Sequence, residues 1–233
     1  MPDEVIQESV VPLILLFLLL LLQSCLSEAA TSFRQSKKTL AKIYLDHPKT
    51  FYCGCDFEFR NKKLRPDLNH CGYTPRKNPK RASRIEWEHL VPAWAFGHQL
   101  RCWQEGGRQA CRRDKQFRLM EADMHNLVPA IGEVNGDRSN YRFAMIPGER
   151  RRYGRCNMEI DFKQRKAEPP PEVRGDIARA YFYMQQRYGL KISRSERRLF
   201  EAWNREDPVD RWERKKAQRV SEIQGNSNTF VTD

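Results

Sequence analysis

The spacing of apolar residues changes several times along the chain, and each change predicts a different element. Val10 to Leu22 is an apolar run broken only by Pro12. A membrane span needs about 20 such residues, so this run is short for one and suits the apolar region of a secretory leader. Ser27, Ala29 and Ala30 follow as small residues for cleavage after Ala29 or Ala30. A signal peptide is therefore expected over residues 1–30. Its start is unusual, with Asp3, Glu4 and Glu8 and no Lys or Arg. A membrane anchor, or a lipid anchor at Cys25, is the less fitting alternative.

Beyond the leader, Leu40, Ile43 and Tyr44 predict a short amphipathic helix within 36–46. Phe57 and Phe59 alternate with charge inside a Cys- and Gly-rich stretch, which predicts a strand and turns over 51–73. Residues 76–84 are basic without apolar period and read as a loop. Residues 85–96 are strand-like and stop at Gly97. Gly106-Gly107 makes 100–115 a loop. A helix is expected over 117–124, a strand over 127–131, and a helix opening at Gly132. Residues 141–162 are mixed, with turns at Gly148 and Gly154.

Pro169-Pro170-Pro171 predicts a stiff linker. Three helices follow. The first runs from about Glu172 to Tyr188 with Ile177, Tyr181 and Met184 on one stripe, and stops at Gly189. The second opens at a capping box, Ser193 to Glu196, and carries Leu199, Phe200 and Trp203. The third takes Asp207 as N-cap with Pro208 at its first position, and stops at Gly225. The fold class is α+β, a mixed single domain with a helical C-terminal half.

Composition narrows the class. The 233 residues are 39% hydrophobic and 11% aromatic, enough to build a core and to exclude wholesale disorder. Lys and Arg outnumber Asp and Glu by 42 to 30, a formal charge of +12 that points to a polyanionic partner. Cleavage after Ala30 removes Cys25 and four acids (Asp3, Glu4, Glu8, Glu28) and no base, raising the charge to +16 and leaving six of the seven cysteines. An even cysteine set in an exported chain reads as disulfides, with 15 possible connectivities.

Chemistry concentrates between Glu86 and Asn140. In Ile85-Glu86-Trp87-Glu88-His89-Leu90 a carboxylate stands beside a histidine in an apolar setting, where charges need partners. A plain surface strand is the alternative. Glu121, Asp123, His125 and Asn126 follow, then Glu133, Asn135, Asp137, Arg138 and Asn140. Their oxygens suit a hard cation such as Mg²⁺, and a histidine beside it could take a proton from water. Arg108, after Gly106-Gly107, suits a phosphate oxygen. These are parts for metal-assisted phosphodiester cleavage. Two rivals are a zinc site at Cys53, Cys55, His70 and Cys71, and a metal-free histidine pair of His89 with His125 or His98.

Several long motifs occur together: Phe51-Tyr-Cys-Gly-Cys55, Arg81-Ala-Ser-Arg-Ile-Glu-Trp-Glu-His-Leu-Val-Pro-Ala93, Gly106-Gly-Arg108, Met120-Glu-Ala-Asp123, His125-Asn-Leu127 and Gly132-Glu-Val-Asn-Gly-Asp-Arg-Ser-Asn140. With Arg174-Gly-Asp-Ile-Ala-Arg179, Ala202-Trp-Asn204 and Gln224-Gly-Asn226, they resemble bacterial endonuclease I over nearly all of residues 31–233. The resemblance implies a ββα-metal (His-Me finger) core and non-specific cleavage of DNA to 5′-phosphorylated oligonucleotides, with some members cutting RNA too. Carried over by motif, His89 is the general base, Glu88 and Asn135 hold Mg²⁺ (Mn²⁺ or Ca²⁺ as substitutes), Arg108 binds the cleaved phosphate, and Glu121 supports the site. The implied location is periplasmic or secreted, and a monomer is expected. Both Glu88 and His89 serve one site only if their strand ends or bulges near residues 88–90.

The chain departs from the family at Arg214 and at its last residues, where family members carry cysteines. The pairs then expected are Cys102–Cys111, Cys55–Cys71 and Cys53–Cys156. A basic cleft is expected along Lys77, Lys80, Arg81, Arg84, Arg112, Arg113 and Arg138. Phosphate contacts without a base-reading helix imply low sequence specificity. The alternatives to a Mg²⁺-dependent nuclease are an exported DNA-binding protein with an inactive site and a metal-independent ribonuclease.

Overall fold

The computed structural model describes residues 32–60, 63–148 and 150–231. The leader expected over residues 1–30 lies outside them. Helix α1 (Phe33–Ile43) starts at Ser32, whose hydroxyl accepts the Gln35 N–H, and buries Ser36, Leu40 and Ile43 at helical spacing. The hairpin β1 (Phe57–Arg60) and β2 (Lys63–Pro66) follows. Phe57 is buried, whereas Phe59 is 66% exposed.

Residues 76–84 are not wholly a loop. Asn78 caps Arg81 N–H and Pro79 takes the first helical position, giving a single turn, α2 (Pro79–Ala82). Strand β3 (Ile85–His89) is shorter than its apolar run: beyond His89 the Asn126 side chain takes both the N–H and the carbonyl of Val91, and Pro92 caps α3 (Ala93–Gly97). The expected loop at 100–115 is instead helical, α4 (Arg101–Cys111), broken inside by Gly106 and by Gly107 at φ +62°. That left-handed angle is open to glycine, so the two residues kink the helix and turn its end. Cys102–Cys111 staples the two arms.

Helix α5 (Lys115–Ala122) is capped by Asp114. A 3₁₀ turn (Met124–Asn126) leads into β4 (Leu127–Ile131), buried throughout. Strands β3 and β4 pair antiparallel from Ile85↔Ile131 to His89↔Leu127 without a bulge. Helix α6 (Gly132–Arg138) turns back across one face. The Gly132 N–H bonds Arg84 O at 2.9 Å, and a side chain at Gly132 would meet Arg81 O at 2.6 Å, so the close return needs glycine. A second sheet has β5 (Arg142–Phe143) parallel to β7 (Lys166–Glu168), with β6 (Glu159–Asp161) antiparallel on the other side of β7.

Pro169 and Pro170 are buried, so this segment is packed into the domain and is no solvent linker. It leads into α7 (Arg174–Tyr188), closed by Gly189 at φ +70°. Helix α8 (Arg194–Glu206) has the expected capping box. Helix α9 (Arg211–Gln224) starts at Asp210, not Asp207, and ends at Gly225. Asp207 instead closes α8 and accepts the Gly175 N–H at 2.7 Å, near the start of α7.

The main core joins Phe96, Phe117, Val128 and Ile131 to Tyr181, Phe200 and Trp203 of the helical half. A smaller cluster sets Leu40 and Ile43 of α1 against Leu127 and, from α9, Val220. The cysteines pair as Cys53–Cys156, Cys55–Cys71 and Cys102–Cys111, which takes the thiolates that a zinc site would need. Among the described residues no helix is long and apolar enough to cross a membrane.

Candidate active site

Alternation along β3 sorts its side chains. Ile85, Trp87 and His89 share one face; Glu86 and Glu88 share the other, which α6 covers. The strand ends at His89, with its register unbroken through Glu88↔Val128. No bulge is present; of the two expected irregularities the structure has the strand end, at His89.

His89 is 9% exposed, with the Phe33 ring of α1 tilted against it at 4.9 Å between centroids. Its Nε2 lies 2.8 Å from Glu121 O. A carbonyl oxygen only accepts, so Nε2 carries the proton and donates it. Burial pushes the imidazole down to about 4, with the Glu121 carbonyl pulling partly back. His89 is thus neutral at ordinary pH, with a lone pair on Nδ1.

Glu121 has a second contact. Its Oε1 accepts from Arg108 Nη2 at 2.6 Å and Nε at 3.1 Å. The Arg108 side chain is 52% exposed, on the turned arm of α4. One residue therefore holds the histidine by its backbone and the arginine by its side chain.

On the other face, Glu88 is buried. Its Oε1 accepts from Arg138 Nη1 at 3.0 Å and from the Tyr52 hydroxyl at 3.1 Å. Burial raises its carboxyl to about 7, with Arg138 and Tyr52 pulling down. Asn135, one helical turn before Arg138, donates from Nδ2 to Glu86 Oε2 at 2.9 Å. Glu86 also takes Arg81 and Arg84; burial tends to raise its carboxyl, but these guanidiniums win and hold it below the ordinary value. Glu88 and Asn135 lie along one face of β3 without a hydrogen bond between them.

The donor set for a cation can be tested on these bonds. Glu88 Oε2 and Asn135 Oδ1 make no hydrogen bond among the described residues, because each group's other atom makes them. A carboxylate oxygen and an amide oxygen are hard donors and fit a divalent cation such as Mg²⁺. Among the described residues no three His, Cys, Asp or Glu side chains cluster as a metal site. The candidate set is one carboxylate and one amide, with water or phosphate oxygens left to complete it, as Mg²⁺ commonly takes.

The other histidines stand elsewhere. His125 is buried, its Nε2 2.9 Å from Asn226 O and its ring against Tyr183. His98 stacks on Trp94. Neither bonds His89, so the histidine-pair arrangement does not form.

Comparison with known proteins finds relatives across most of the chain. A family model described as Endonuclease I matches residues 22–233. The chain is 54% identical over 222 residues to a periplasmic deoxyribonuclease of Aeromonas hydrophila, covering 94% of each chain. It is 56% identical over 201 residues to an extracellular deoxyribonuclease of the same organism, covering 86% of this chain and 87% of that one. Endonuclease-1 of Buchnera aphidicola subsp. Acyrthosiphon pisum is 50% identical over 200 residues, 86% of this chain and 80% of that one.

The chain belongs to the endonuclease I family. It is an endonuclease, and its mixed helix-and-sheet domain is the fold expected from the resemblance.

Three residues around the candidate site have roles that the sequence does not assign. Tyr52 and Arg138 clamp Glu88, and Glu86 fixes the Asn135 amide. Glu86 was legible, since residues two apart in a strand share a face. Arg138 is fully buried, donating to Glu88, His89 O and Leu90 O. It is therefore no part of the basic cleft in which it was expected. Lys77, Lys80, Arg84, Arg112 and Arg113 are exposed.

Proposed function

We propose that this endonuclease is a divalent-cation-dependent enzyme that hydrolyses phosphodiester bonds of DNA, and of RNA as a second substrate, to products ending in 5′-phosphate. The contact that carries this reading is His89 Nε2 on Glu121 O. It fixes the tautomer, and burial keeps the ring neutral. Nδ1 takes a proton from a water molecule as that water's oxygen attacks phosphorus. The 3′-oxygen leaves with the bond electrons and takes a proton from solvent; His89 returns its own proton to solvent.

Arg108 spends Nε and Nη2 on Glu121 and keeps Nη1 for a phosphate oxygen. Glu121 is the positioning residue that sets base and clamp relative to one another. Glu88 and Asn135 would hold the cation, Mg²⁺ in this reading, with their oxygens that make no hydrogen bond among the described residues. When bound, it stabilises the charge developing on the phosphoryl and leaving oxygens.

Export is part of the proposal. The two Aeromonas relatives are named periplasmic and extracellular. A leader over 1–30, cleaved to leave 31–233, agrees with three disulfides in the rest of the chain. The basic balance favours contact with the phosphate backbone and low sequence specificity.

The test is digestion of plasmid DNA and of RNA with Mg²⁺ and with EDTA, beside His89→Ala. The expected result is cutting with Mg²⁺ alone and a loss of roughly 10²–10⁴-fold in the variant, with DNA binding in EDTA retained. Cutting that survives EDTA would overturn the cation, and full cutting by His89→Ala would overturn the base.

A further inference from the structure

A cleft of about 920 Å³ opens between α1 and the β1–β2 hairpin, over the Ile85–Trp87 side of β3. Its walls combine basic and apolar residues. Arg34, Lys37, Lys38 and Lys42 line it from α1, and Lys63 faces them from β2. None of these five makes an ion pair with a carboxylate among the described residues; Lys37 lies 4.6 Å over the Phe33 ring. Between them the surface is apolar and aromatic. Trp87 is part of it, and Phe59 (66% exposed) and Leu45 (72% exposed) project at its edge.

We propose that this cleft grips a single, unpaired strand of nucleic acid, with its phosphates on the α1 lysines and a base stacked on Phe59. The inference rests on the nuclease reading and deepens it by naming the substrate form. Cations without a carboxylate partner, set around a largely apolar floor that holds one acid, Glu58, call for a ligand with a charged edge and a flat apolar face, and a nucleotide strand has both. A duplex keeps its base faces stacked inside and offers chiefly its phosphates to such a floor.

The placement also suits the reaction. Ile85 and Trp87 line the cleft and His89 is the next residue on the same face. Two residues of strand span roughly 7 Å, about one nucleotide step. The strand that carries the base thus runs from the cleft to the cutting point. A nucleotide held at Trp87 has its neighbouring phosphate near His89.

Fluorescence anisotropy in EDTA separates the outcomes, because nothing is cut. The probes are a labelled 12-residue oligothymidylate and a blunt 12-base-pair duplex, each measured from low to moderate salt. Phe59→Ala, at an exposed position, is expected to weaken the single strand roughly tenfold and the duplex less than about twofold, since stacking acts on unpaired bases. Arg34→Ala with Lys38→Ala is expected to reduce the salt slope for the single strand by about 1.4. Equal binding of the oligothymidylate by Phe59→Ala and the parent protein would overturn the proposal. So would displacement of the oligothymidylate by poly-glutamate as readily as by unlabelled oligothymidylate, which would mark an acidic-peptide site. Plasmid cutting with Mg²⁺, measured in parallel, keeps the two readings apart. If cutting is normal and Phe59→Ala binds like the parent, only the cleft proposal fails. If nothing is cut under any condition, the nuclease reading fails.

Discussion

The backbone oxygen of Glu121 lies 2.8 Å from His89 Nε2, while the carboxylate of the same residue lies 2.6 Å from Arg108 Nη2. The two contacts respond differently to substitution. Glu121→Gln leaves the carbonyl, so His89 keeps its tautomer, and only the charge behind Arg108 is lost. The expected result is a rise in KM with a fall in kcat of no more than about tenfold, far short of the 10²–10⁴-fold loss expected for His89→Ala. The acid limb of the pH–rate profile should shift toward lower pH, because the Glu121 charge helps to hold the His89 imidazole up against burial. A loss in Glu121→Gln equal to that of His89→Ala would mean that the carboxylate takes a direct part in the chemistry.

Arg138 and Glu88 form an ion pair with side-chain exposures of 0% and 4%. The arginine also takes the carbonyl oxygens of His89 and Leu90 at 2.9 and 2.7 Å. Removing one partner of such a pair leaves a buried group uncompensated, at a cost of about 3–5 kcal/mol. Arg138→Met should lower the urea midpoint accordingly, and cation binding measured by calorimetry should weaken as Glu88 loses its support. A stability change under about 1 kcal/mol would place the pair among exposed, weak ones.

His125 sets a pH dependence of stability. Burial holds its imidazole below the ordinary value, with Asp123 opposing. In the unfolded chain it charges as pH falls through about 6.5, while in the folded protein it stays neutral to lower pH. The unfolded state therefore binds more protons in that window, and the stability contributed by His125 is full above about 6.5 and is lost as pH falls. Thermal melts of the parent and His125→Gln, followed from pH 7.5 to pH 5, should converge toward acid. A constant gap would show that His125 titrates normally.

The disulfides should separate by readout. Cys53–Cys156 closes a separation of 103 residues, and Cys102–Cys111 one of 9. Replacing the first pair by serines should cost about 2–5 kcal/mol, because long loops gain most entropy on opening. Replacing the second should cost less stability but raise KM, since it frees the arm that carries Arg108. Equal effects on both measures would contradict this division.

Much of the fold was legible where local rules agreed with packing. Leu127–Ile131 is a run of apolar residues with a glycine behind it, and it forms a strand over those bounds. Ser193 and Glu196 cap α8 as their spacing required. The reading went wrong where a tertiary constraint outweighed local composition. Gly106-Gly107 looks like a loop, yet the chain on either side is helical and is stapled by a disulfide. Asp207-Pro208 looks like a helix start, but Asp207 serves Gly175, in a different helix. The site divides in the same way. His89, Arg108 and Glu121 are brought together, and motif resemblance had grouped them. That Glu121 links the other two through different atoms, and that Arg138 sits beneath Glu88, depend on side-chain directions that spacing does not encode.

The connectivity of the cysteines sets a problem of timing. A chain threaded N-terminus first into an oxidising compartment delivers Cys53 and Cys55 almost together, then Cys71, and Cys156 last of all. Pairing in order of arrival would join Cys53 to Cys55 or to Cys71, yet both Cys55–Cys71 and Cys53–Cys156 belong to the finished molecule. Cys53 must either stay reduced until translocation is nearly over or be released from a wrong partner by thiol–disulfide exchange. Where Cys53 is caught early, maturation of this nuclease needs an isomerase as well as an oxidant, and a compartment that oxidises without reshuffling would accumulate mispaired protein.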